Sequence, residues 1–258
     1  MNLKSKIALA VLALTAGTAA MAQVSYNIGA VSDYRVRGIA QTASQPSIQG
    51  GVDYAHSSGF YVGAWAASNV KWIKDFNGAT KGDYEVDLYG GYKGAIPSAG
   101  LNYDVGFITY QYPGNDSGET GTPGAGAFSN ASTKEVYAAL TYGVATLKYN
   151  QSLGDFLGNL NSNGSRYWDL SATFDLGNGY SLVPHVGHQS IPNQSSVTKT
   201  GNAADYSDAA LTLNKDFGGG ITGLLSYQTT DAEQNFYTDA NGRFLGQNVL
   251  LAGVKYTF

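Results

Sequence analysis

Apolar and polar residues alternate along most of the chain after position 22. This period-2 alternation is typical of a β-strand with one apolar and one polar face. It recurs in twelve segments, which we place at 23–39, 47–57, 59–70, 82–96, 101–113, 132–143, 145–154, 165–177, 180–191, 205–217, 220–231 and 243–258. An even number of strands of this length is typical of a barrel whose tilted strands cross a membrane. The pattern predicts an all-β protein.

The connections between these segments alternate between short and long. The short ones, rich in Gly, Pro, Asn and Ser, lie at 57–58, 97–100, 144, 178–179 and 218–219. The long ones lie at 40–46, 71–81, 114–131, 155–164, 192–204 and 232–242. An up-and-down barrel with long outer loops and short periplasmic turns requires this alternation, whereas a Greek-key sandwich mixes its connection lengths. We therefore predict an up-and-down antiparallel transmembrane β-barrel of about 12 strands over residues 23–258, with both termini on the periplasmic side.

The last segment has an apolar face that ends on an aromatic residue. Gly253, Tyr256 and Phe258 resemble the C-terminal signal by which the bacterial outer-membrane barrel assembly machinery recognises its clients. Leu251 departs from that signal, because a polar residue usually stands there. We expect this strand to pair with the first strand and so remove both sheet edges. From these residues alone, the closing strand of a soluble barrel or sandwich is an equal alternative.

Aromatic residues on the apolar faces lie near the strand ends and favour the membrane alternative. Tyr26 and Tyr34 are eight residues apart, as are Tyr84 and Tyr92. At ~3.3 Å per residue and a tilt of ~40°, that separation spans roughly 20 Å along the membrane normal. Outer-membrane barrels carry an apolar band of ~25 Å between two such rows, since amphipathic rings prefer the headgroup level.

The N-terminus predicts export. Lys4 and Lys6 precede an apolar run over 7–20 and the sequence Ala20-Met21-Ala22, which is the layout of a signal peptide spanning 1–22. The chain has no cysteine, so thiol catalysis and disulfides are excluded. Its formal charge of −4 becomes −6 once Lys4 and Lys6 are removed, which argues against a nucleic-acid partner. We expect a bacterial outer-membrane protein in contact with membrane lipid and lipopolysaccharide.

Two motifs carry a resemblance to a known family. Ser32 to Thr42 reads S-D-Y-R-V-R-G-I-A-Q-T, and Gln49 to Tyr54 reads Q-G-G-V-D-Y. Here the chain resembles the Gcw_chp family, also called TorF-type porins, a group of exported proteobacterial proteins of largely uncharacterised role. The resemblance implies an outer-membrane barrel and a suspected porin role. It supplies no functional residues.

The first candidate site lies on the polar faces of the first two strands. Asp33, Arg35 and Arg37 share one face of the first segment, and Asp53 lies on the neighbouring polar face. Opposed Arg and carboxylate groups in a narrow, water-filled lumen create a transverse field that filters solutes by charge. A salt-bridged plug that fills a small barrel interior is an equal alternative.

A second polar-face cluster is acidic. Asp83, Glu85 and Asp87 occupy alternate positions of the fourth segment, a pattern compatible with binding of a divalent cation or with cation passage. A solvated lumen face fits them better, because they lie in register along a strand and do not converge as the Ca²⁺ ligands of a turn do. The assigned polar faces hold more carboxylates than cations overall. We therefore hypothesise a weak preference for cations.

The sequence does not favour an enzyme, and we predict neither a cofactor nor a metal site. His56-Ser57-Ser58 has the His-x-Ser spacing of outer-membrane phospholipases, but it falls at a short periplasmic turn. His185 and His188 lie on opposite faces of one strand and cannot share a metal ion. The Gly-rich loop 114–131 is expected to be a mobile surface loop in preference to an inward constriction.

These patterns favour a porin-like channel for passive diffusion of small hydrophilic solutes. The alternative is a closed structural or adhesion barrel that binds a partner through its extracellular loops.

Overall fold

The computed structural model describes residues 23–258, so the predicted signal peptide at 1–22 lies outside the described residues. The strands are β1 (Gln23–Val31), β2 (Arg35–Val36), β3 (Ile39–Ala40), β4 (Ser47–Ala55), β5 (Phe60–Ser68), β6 (Tyr84–Ile96), β7 (Leu101–Gln111), β8 (Thr133–Tyr142), β9 (Ala145–Ser152), β10 (Arg166–Ala172), β11 (Phe174–Gly177), β12 (Tyr180–Ser190), β13 (Tyr206–Gly218), β14 (Ile221–Thr230) and β15 (Val249–Thr257). A short α-helix, α1, spans Trp72–Asp75, and a 3₁₀ turn spans Pro97–Ala99.

The strands other than β2 and β3 close into one antiparallel barrel. It has twelve strands around its circumference, because β10 and β11 count as one. Each barrel strand pairs with its neighbours in the chain, and β1 pairs with β15 from Asn27↔Thr257 to Val31↔Gly253. β10 and β11 are two parts of a single barrel strand, and β12 pairs with both. β2 and β3 form a separate two-stranded sheet. The predicted up-and-down barrel of 12 strands is confirmed, as is the pairing of the first strand with the last.

The barrel is apolar outside and polar inside. Ile28, Leu88 and Leu170 point outward and are about half exposed, at 52%, 51% and 48%. Asn150 and Ser226, on inward positions of their strands, are buried. A water-soluble barrel would show the opposite sense, so this arrangement is that of a barrel with lipid outside. Among residues 23–258 no helix is long and apolar enough to cross a membrane.

The last strand follows the predicted faces. Leu250, Val254 and Tyr256 point outward, whereas Leu251 is buried on the inward face opposite Ser226. The Phe258 ring stacks on the rings of Tyr26 and Tyr256, with centroids 5.7 and 5.2 Å apart. Leu251 thus places an apolar side chain in the inner wall, where the assembly signal usually has a polar residue.

Two predicted strands were too long. The first was predicted over 23–39 but ends at Val31, and the last was predicted from 243 but begins at Val249. Both excluded stretches pack inside the loop end of the barrel, where Ile39 and Leu245 are buried. The apolar residues of these two stretches follow the alternation of a strand, but they pack into a buried cluster at the loop end of the barrel.

This core lies among the long loops at one end of the barrel. We call the loops at 69–83, 112–132, 153–165, 191–205 and 231–248 the canopy. The buried apolar residues that join the canopy to the barrel mouth are Ile39, Ala40, Val70, Trp72, Ile73, Ala79, Tyr112, Ala131, Phe156, Ile191, Ala204, Tyr206, Ala232, Tyr237 and Leu245. The principal apolar core of the molecule is therefore built largely from loops, because most apolar residues of the barrel wall point outward.

The Gly-rich loop 114–131 is part of this canopy. Asp116 accepts hydrogen bonds from the backbone N–H of Thr80 at 2.7 Å and from its hydroxyl at 2.5 Å. These hydrogen bonds hold the pKa of Asp116 below its usual value. The Phe128 ring packs 5.7 Å from that of Phe76. The loop is thus tied to the neighbouring loop, whereas its Gly-rich sequence predicted a mobile surface loop.

Candidate functional site: the barrel lumen and its mouth

A short hairpin leaves the barrel wall after β1 and lies within the loop-side mouth. We call residues 32–46 the mouth hairpin. β2 and β3 pair through Arg35↔Ala40 and Val36↔Ile39, and Arg37 and Gly38 form its tip with φ of 50° and 80°. Positive φ at both central residues is what a type I′ turn requires, and glycine supplies one of them without steric strain. The Gcw_chp-like motif from Ser32 to Thr42 is therefore the hairpin itself.

The inward turn of the hairpin is stabilised by polar contacts at its base. The Asp33 carboxylate accepts hydrogen bonds from Arg35 Nε at 2.7 Å and from the Thr42 hydroxyl at 3.3 Å. The Arg35 guanidinium also donates to the carbonyl oxygens of Gly38 at 2.9 Å and Gln247 at 2.7 Å. Asp33 and Arg35 are thus a buried ion pair that holds the hairpin together.

Tyr34 corrects the predicted outer row of aromatic residues. It was expected at the lipid-facing girdle, but it points into the barrel because the chain leaves the wall before it. Its hydroxyl donates to Glu85 Oε1 at 3.1 Å, and its ring lies 5.4 Å from that of Trp65. Burial, and next the negative charge of Glu85, raise the pKa of Tyr34 well above its usual value, so the phenol remains a donor.

Arg37 carries the hairpin across the lumen. Its guanidinium donates to Glu135 Oε2 and to Gln189 Oε1, each at 2.6 Å. It also lies over the Tyr167 ring at 4.5 Å from the ring centre. The hairpin is rooted between β1 and β4, whereas these partners lie on β8, β12 and β10, on the far side of the strand order. The hairpin therefore spans the mouth.

The charge of Arg37 is maintained in this buried position. Burial by itself would lower the pKa of the guanidinium, but the attraction of Glu135 outweighs it, so the pKa is raised. The space left between hairpin and canopy is a cavity of about 40 Å³, lined partly by Arg37, Trp72 and Phe156. That volume holds about three water molecules. The ion pair between Arg37 and Glu135 thus ties the hairpin tip to the far wall of the barrel.

The predicted acidic cluster is divided by the structure. Glu85 and Asp87 point inward and are buried beneath the hairpin. Asp83 lies before β6, where it is exposed and forms an ion pair with Lys74. Asp53, the remaining candidate, lies on β4 towards the short turns and accepts a hydrogen bond from the Tyr89 hydroxyl at 2.6 Å. The seven candidate residues do not form one cluster.

Below the hairpin, four inward tyrosines lie flat against the wall. Each ring covers an inward glycine of a neighbouring strand, so that an added Cβ would fall 2.0–2.6 Å from a ring or hydroxyl atom. The pairs are Gly63 with Tyr89, Gly91 with Tyr61, Gly106 with Tyr137, and Gly187 with Tyr167. A tyrosine beside a larger residue would have to stand away from the wall. Each glycine therefore allows its tyrosine ring to lie along the barrel wall.

Cations and carboxylates complete this wall. Lys93 Nζ lies 4.4 Å from the Tyr61 ring centre, and Lys148 Nζ lies 4.1 Å from that of Tyr137, both within cation–π range. The Tyr61 hydroxyl donates to Asp104 at 2.6 Å. The inner wall thus presents charged and aromatic groups to the barrel interior.

A second polar cluster surrounds His185, and the strand pattern alone did not indicate it. His185 Nε2 lies 3.0 Å from Asp169 Oδ2, and its Nδ1 lies 3.4 Å from Asp208 Oδ2. The Tyr167 hydroxyl bridges His185 and Asp208 at 3.0 and 2.9 Å. Within the part of the chain that the structure describes, no group of three or more His, Asp or Glu side chains is arranged to hold a metal ion.

Comparisons with known proteins agree with this architecture. A family model described as a bacterial protein of unknown function, Gcw_chp, matches residues 15–258. The name TorF-type is not confirmed by this match. No curated protein matches the chain.

Solved structures of similar shape are outer-membrane porins and channels. The KdgM porin in complex with disordered oligogalacturonate is 8% identical, with a TM-score of 0.53 over 91% of this chain and 98% of that one. The NanC porin is 12% identical, with a TM-score of 0.54 over 91% and 99%. An outer-membrane channel from Pseudomonas putida F1 is 13% identical, with a TM-score of 0.53 over 98% and 99%. At these identities the likeness shows the fold.

Proposed function

The chain belongs to the Gcw_chp family of bacterial proteins of unknown function, and from its structure we propose an outer-membrane channel for passive diffusion of small hydrophilic solutes. The observation that carries the proposal is the inner wall. Its tyrosines lie flat on glycines, and its charged groups replace part of a solute's hydration. A barrel that served only as a scaffold would gain stability from a filled interior. The proposed channel needs neither a cofactor nor a catalytic group.

The mouth hairpin is the constriction of this channel. It spans the loop-side opening through Arg37, and its tip is held by Glu135 and Gln189. Consecutive non-glycine residues with positive φ, Ala43 and Ser44 at 54° and 60°, lie where the hairpin returns to β4. Such conformations cost about 1–2 kcal/mol each, so this end of the hairpin is strained in the position observed. We propose that the hairpin moves to admit solute.

The proposed location and partners follow from the barrel. We propose insertion into the outer membrane by the barrel assembly machinery, through Gly253, Tyr256 and Phe258, after removal of the signal peptide at 1–22. The outward apolar face would contact membrane lipid and lipopolysaccharide.

A weak preference for cations belongs to this proposal. Inward carboxylates outnumber inward lysines, and several of them, including Glu85, Asp87 and Asp208, are buried in the loop-side half. Planar-bilayer recording of refolded protein in a KCl gradient should show stepwise currents with a reversal potential displaced towards that of potassium. A reversal potential displaced towards that of chloride would contradict the preference while leaving the channel intact.

The canopy favours a second candidate function, a closed barrel that binds a partner through its loops. Loops that merely connect strands seldom share a buried aromatic core such as Trp72, Tyr112 and Tyr237. The same recording separates the two functions. A refolded barrel that inserts normally, migrates in a heat-modifiable way on a gel and remains silent would favour partner binding.

A further inference from the structure

One cross-strand row of inward residues carries charges along most of the barrel wall. Residues that face each other on successive strands from β6 to β14 form this row, which we call the charged row. Its members are Lys93, Asp104, Ala139, Lys148, Asp169, Gly187, Asp208 and Thr230. The row holds two lysine–aspartate pairs, Lys93 with Asp104 and Lys148 with Asp169, and Ala139 lies between the pairs. A third aspartate, Asp208, follows after Gly187. The signs of charge therefore alternate along its first five members.

The charged row climbs from one end of the barrel to the other. Lys93 lies beside the short turn, where its backbone N–H donates to the Gly59 carbonyl at 2.9 Å. Thr230 is the last residue of β14, and its Cγ2 lies 2.5 Å from where a Cβ at Gly38 would stand. Seven strand spacings of ~4.8 Å make the row roughly 34 Å long. It connects the turn-side opening with the hairpin tip.

Three charged groups of the row, on Lys93, Lys148 and Asp169, keep bonding capacity that a solute could use. Lys148 lies over Tyr137, and within residues 23–258 its ammonium has neither a hydrogen-bond nor an ion-pair partner. Lys93 is 4.0 Å from its nearest carboxylate oxygen, on Asp104. Asp169 is held through one oxygen by His185, and its side chain is 19% exposed. The lysines thus keep unused donors, and Asp169 keeps an unused acceptor.

We propose that the charged row is a binding track for zwitterionic solutes, with free amino acids and short peptides as the chemical class. Lys148 and Asp169 are opposed on adjacent strands, whose Cα atoms are about 5 Å apart. An α-amino acid carries its carboxylate and ammonium on one carbon, so it can pair with both at once. A simple ion gains one of these contacts and is repelled by the next group. Lys93 and Asp104 repeat the pair towards the turn side.

This inference rests on the proposed channel and names its solute class, so the experiment must separate the two. Proteoliposomes with the refolded protein are swollen in glycine and, separately, in glycerol, a neutral solute of similar size. We expect glycine to enter severalfold faster relative to glycerol than a purely size-based pore allows. The Lys148→Met/Asp169→Asn variant should abolish that preference. A charge-exchanged Lys148→Asp/Asp169→Lys variant should restore most of it.

A matched control removes one charge of each sign outside the row. Lys255→Met/Asp216→Asn alters inward residues that flank Thr222 on β15 and β13, and it should keep the wild-type preference. All variants are first checked for heat-modifiable folding. If glycerol enters faster than into protein-free liposomes but the glycine-to-glycerol ratio is the same with and without Lys148 and Asp169, the binding track is wrong and the channel stands. If neither solute enters faster than it enters protein-free liposomes, the channel itself is wrong.

Discussion

Replacing Arg37 by Met together with Glu135 by Gln is expected to raise the single-channel conductance of the refolded barrel severalfold. The two side chains form the 2.6 Å ion pair that holds the hairpin tip against the far wall. Removing both charges together frees the tip without leaving a buried charge unpaired, so the barrel should remain folded. Planar-bilayer recording beside the wild-type protein measures the effect.

Single substitutions separate release of the hairpin from damage to the fold. Arg37→Met alone leaves Glu135 buried without its cation, which should lower the free energy of unfolding by about 3–5 kcal/mol. The double variant should lose much less in denaturant unfolding. Arg166→Met, an arginine exposed outside the lumen, is the matched control and should leave conductance unchanged. An unchanged conductance in a folded double variant would show that the hairpin does not limit the passage.

The second large effect is expected from Gly63→Ala, which should narrow the lumen from within. The added Cβ would lie 2.5–2.6 Å from atoms of the Tyr89 ring and hydroxyl, and its three nearest atoms all belong to that side chain. The ring would have to swing away from the wall into the lumen. We expect a marked fall in conductance and a loss of about 1–3 kcal/mol of stability from overpacking.

A compensating substitution tests whether the ring is responsible. Gly63→Ala/Tyr89→Ala should recover the conductance, because no ring remains to be displaced. Gly50→Ala on β4 is the control, since its nearest atom would be the Asn27 carbonyl oxygen at 3.2 Å, and it should change little. If Gly63→Ala conducts like the wild type, the tyrosines do not line the path of the solute.

The barrel could be predicted from the local pattern of apolar and polar residues, because every strand must present one apolar face and one polar face. Lipid on one side and water on the other force an apolar residue at every second position, as in Tyr84–Ile96. Loop lengths then order the strands, since consecutive antiparallel strands need only short turns at one end. The closing pair of β1 and β15 follows once no edge may remain exposed in lipid.

The mouth could not be predicted in the same way. Arg35 and Arg37 continue the period-2 alternation of β1, so nothing local separates the hairpin from a longer strand except Gly38 after Arg37. The partners of Arg37 lie 98 and 152 residues away, on Glu135 and Gln189. Residues so far apart in the sequence meet only because the barrel closes, so local sequence patterns cannot predict their contacts.

The candidate site was partly predictable for the same reason. Glu85 and Asp87 lie on a regular strand, and their inward direction follows from its alternation. Asp83 precedes the strand, so the alternation does not govern it. The glycine–tyrosine pairs join different strands and require the strand register, although the abundance of both residue types, 34 Gly and 19 Tyr, was a visible signal.

The most direct test of a channel controlled by the mouth hairpin is a reversible cross-link of its tip. The chain has no cysteine, so Gly38→Cys and Thr230→Cys would create a single pair, at positions where a Gly38 Cβ meets Thr230 Cγ2. Single-channel recording before and after addition of a reductant compares the locked and free hairpin in one membrane, and each single-cysteine variant controls for the strain of a side chain at Gly38. We predict few or no openings while the disulfide is formed, and a clear rise in open probability upon reduction. Equal currents in the two states, with the disulfide verified by mass spectrometry, would contradict the account.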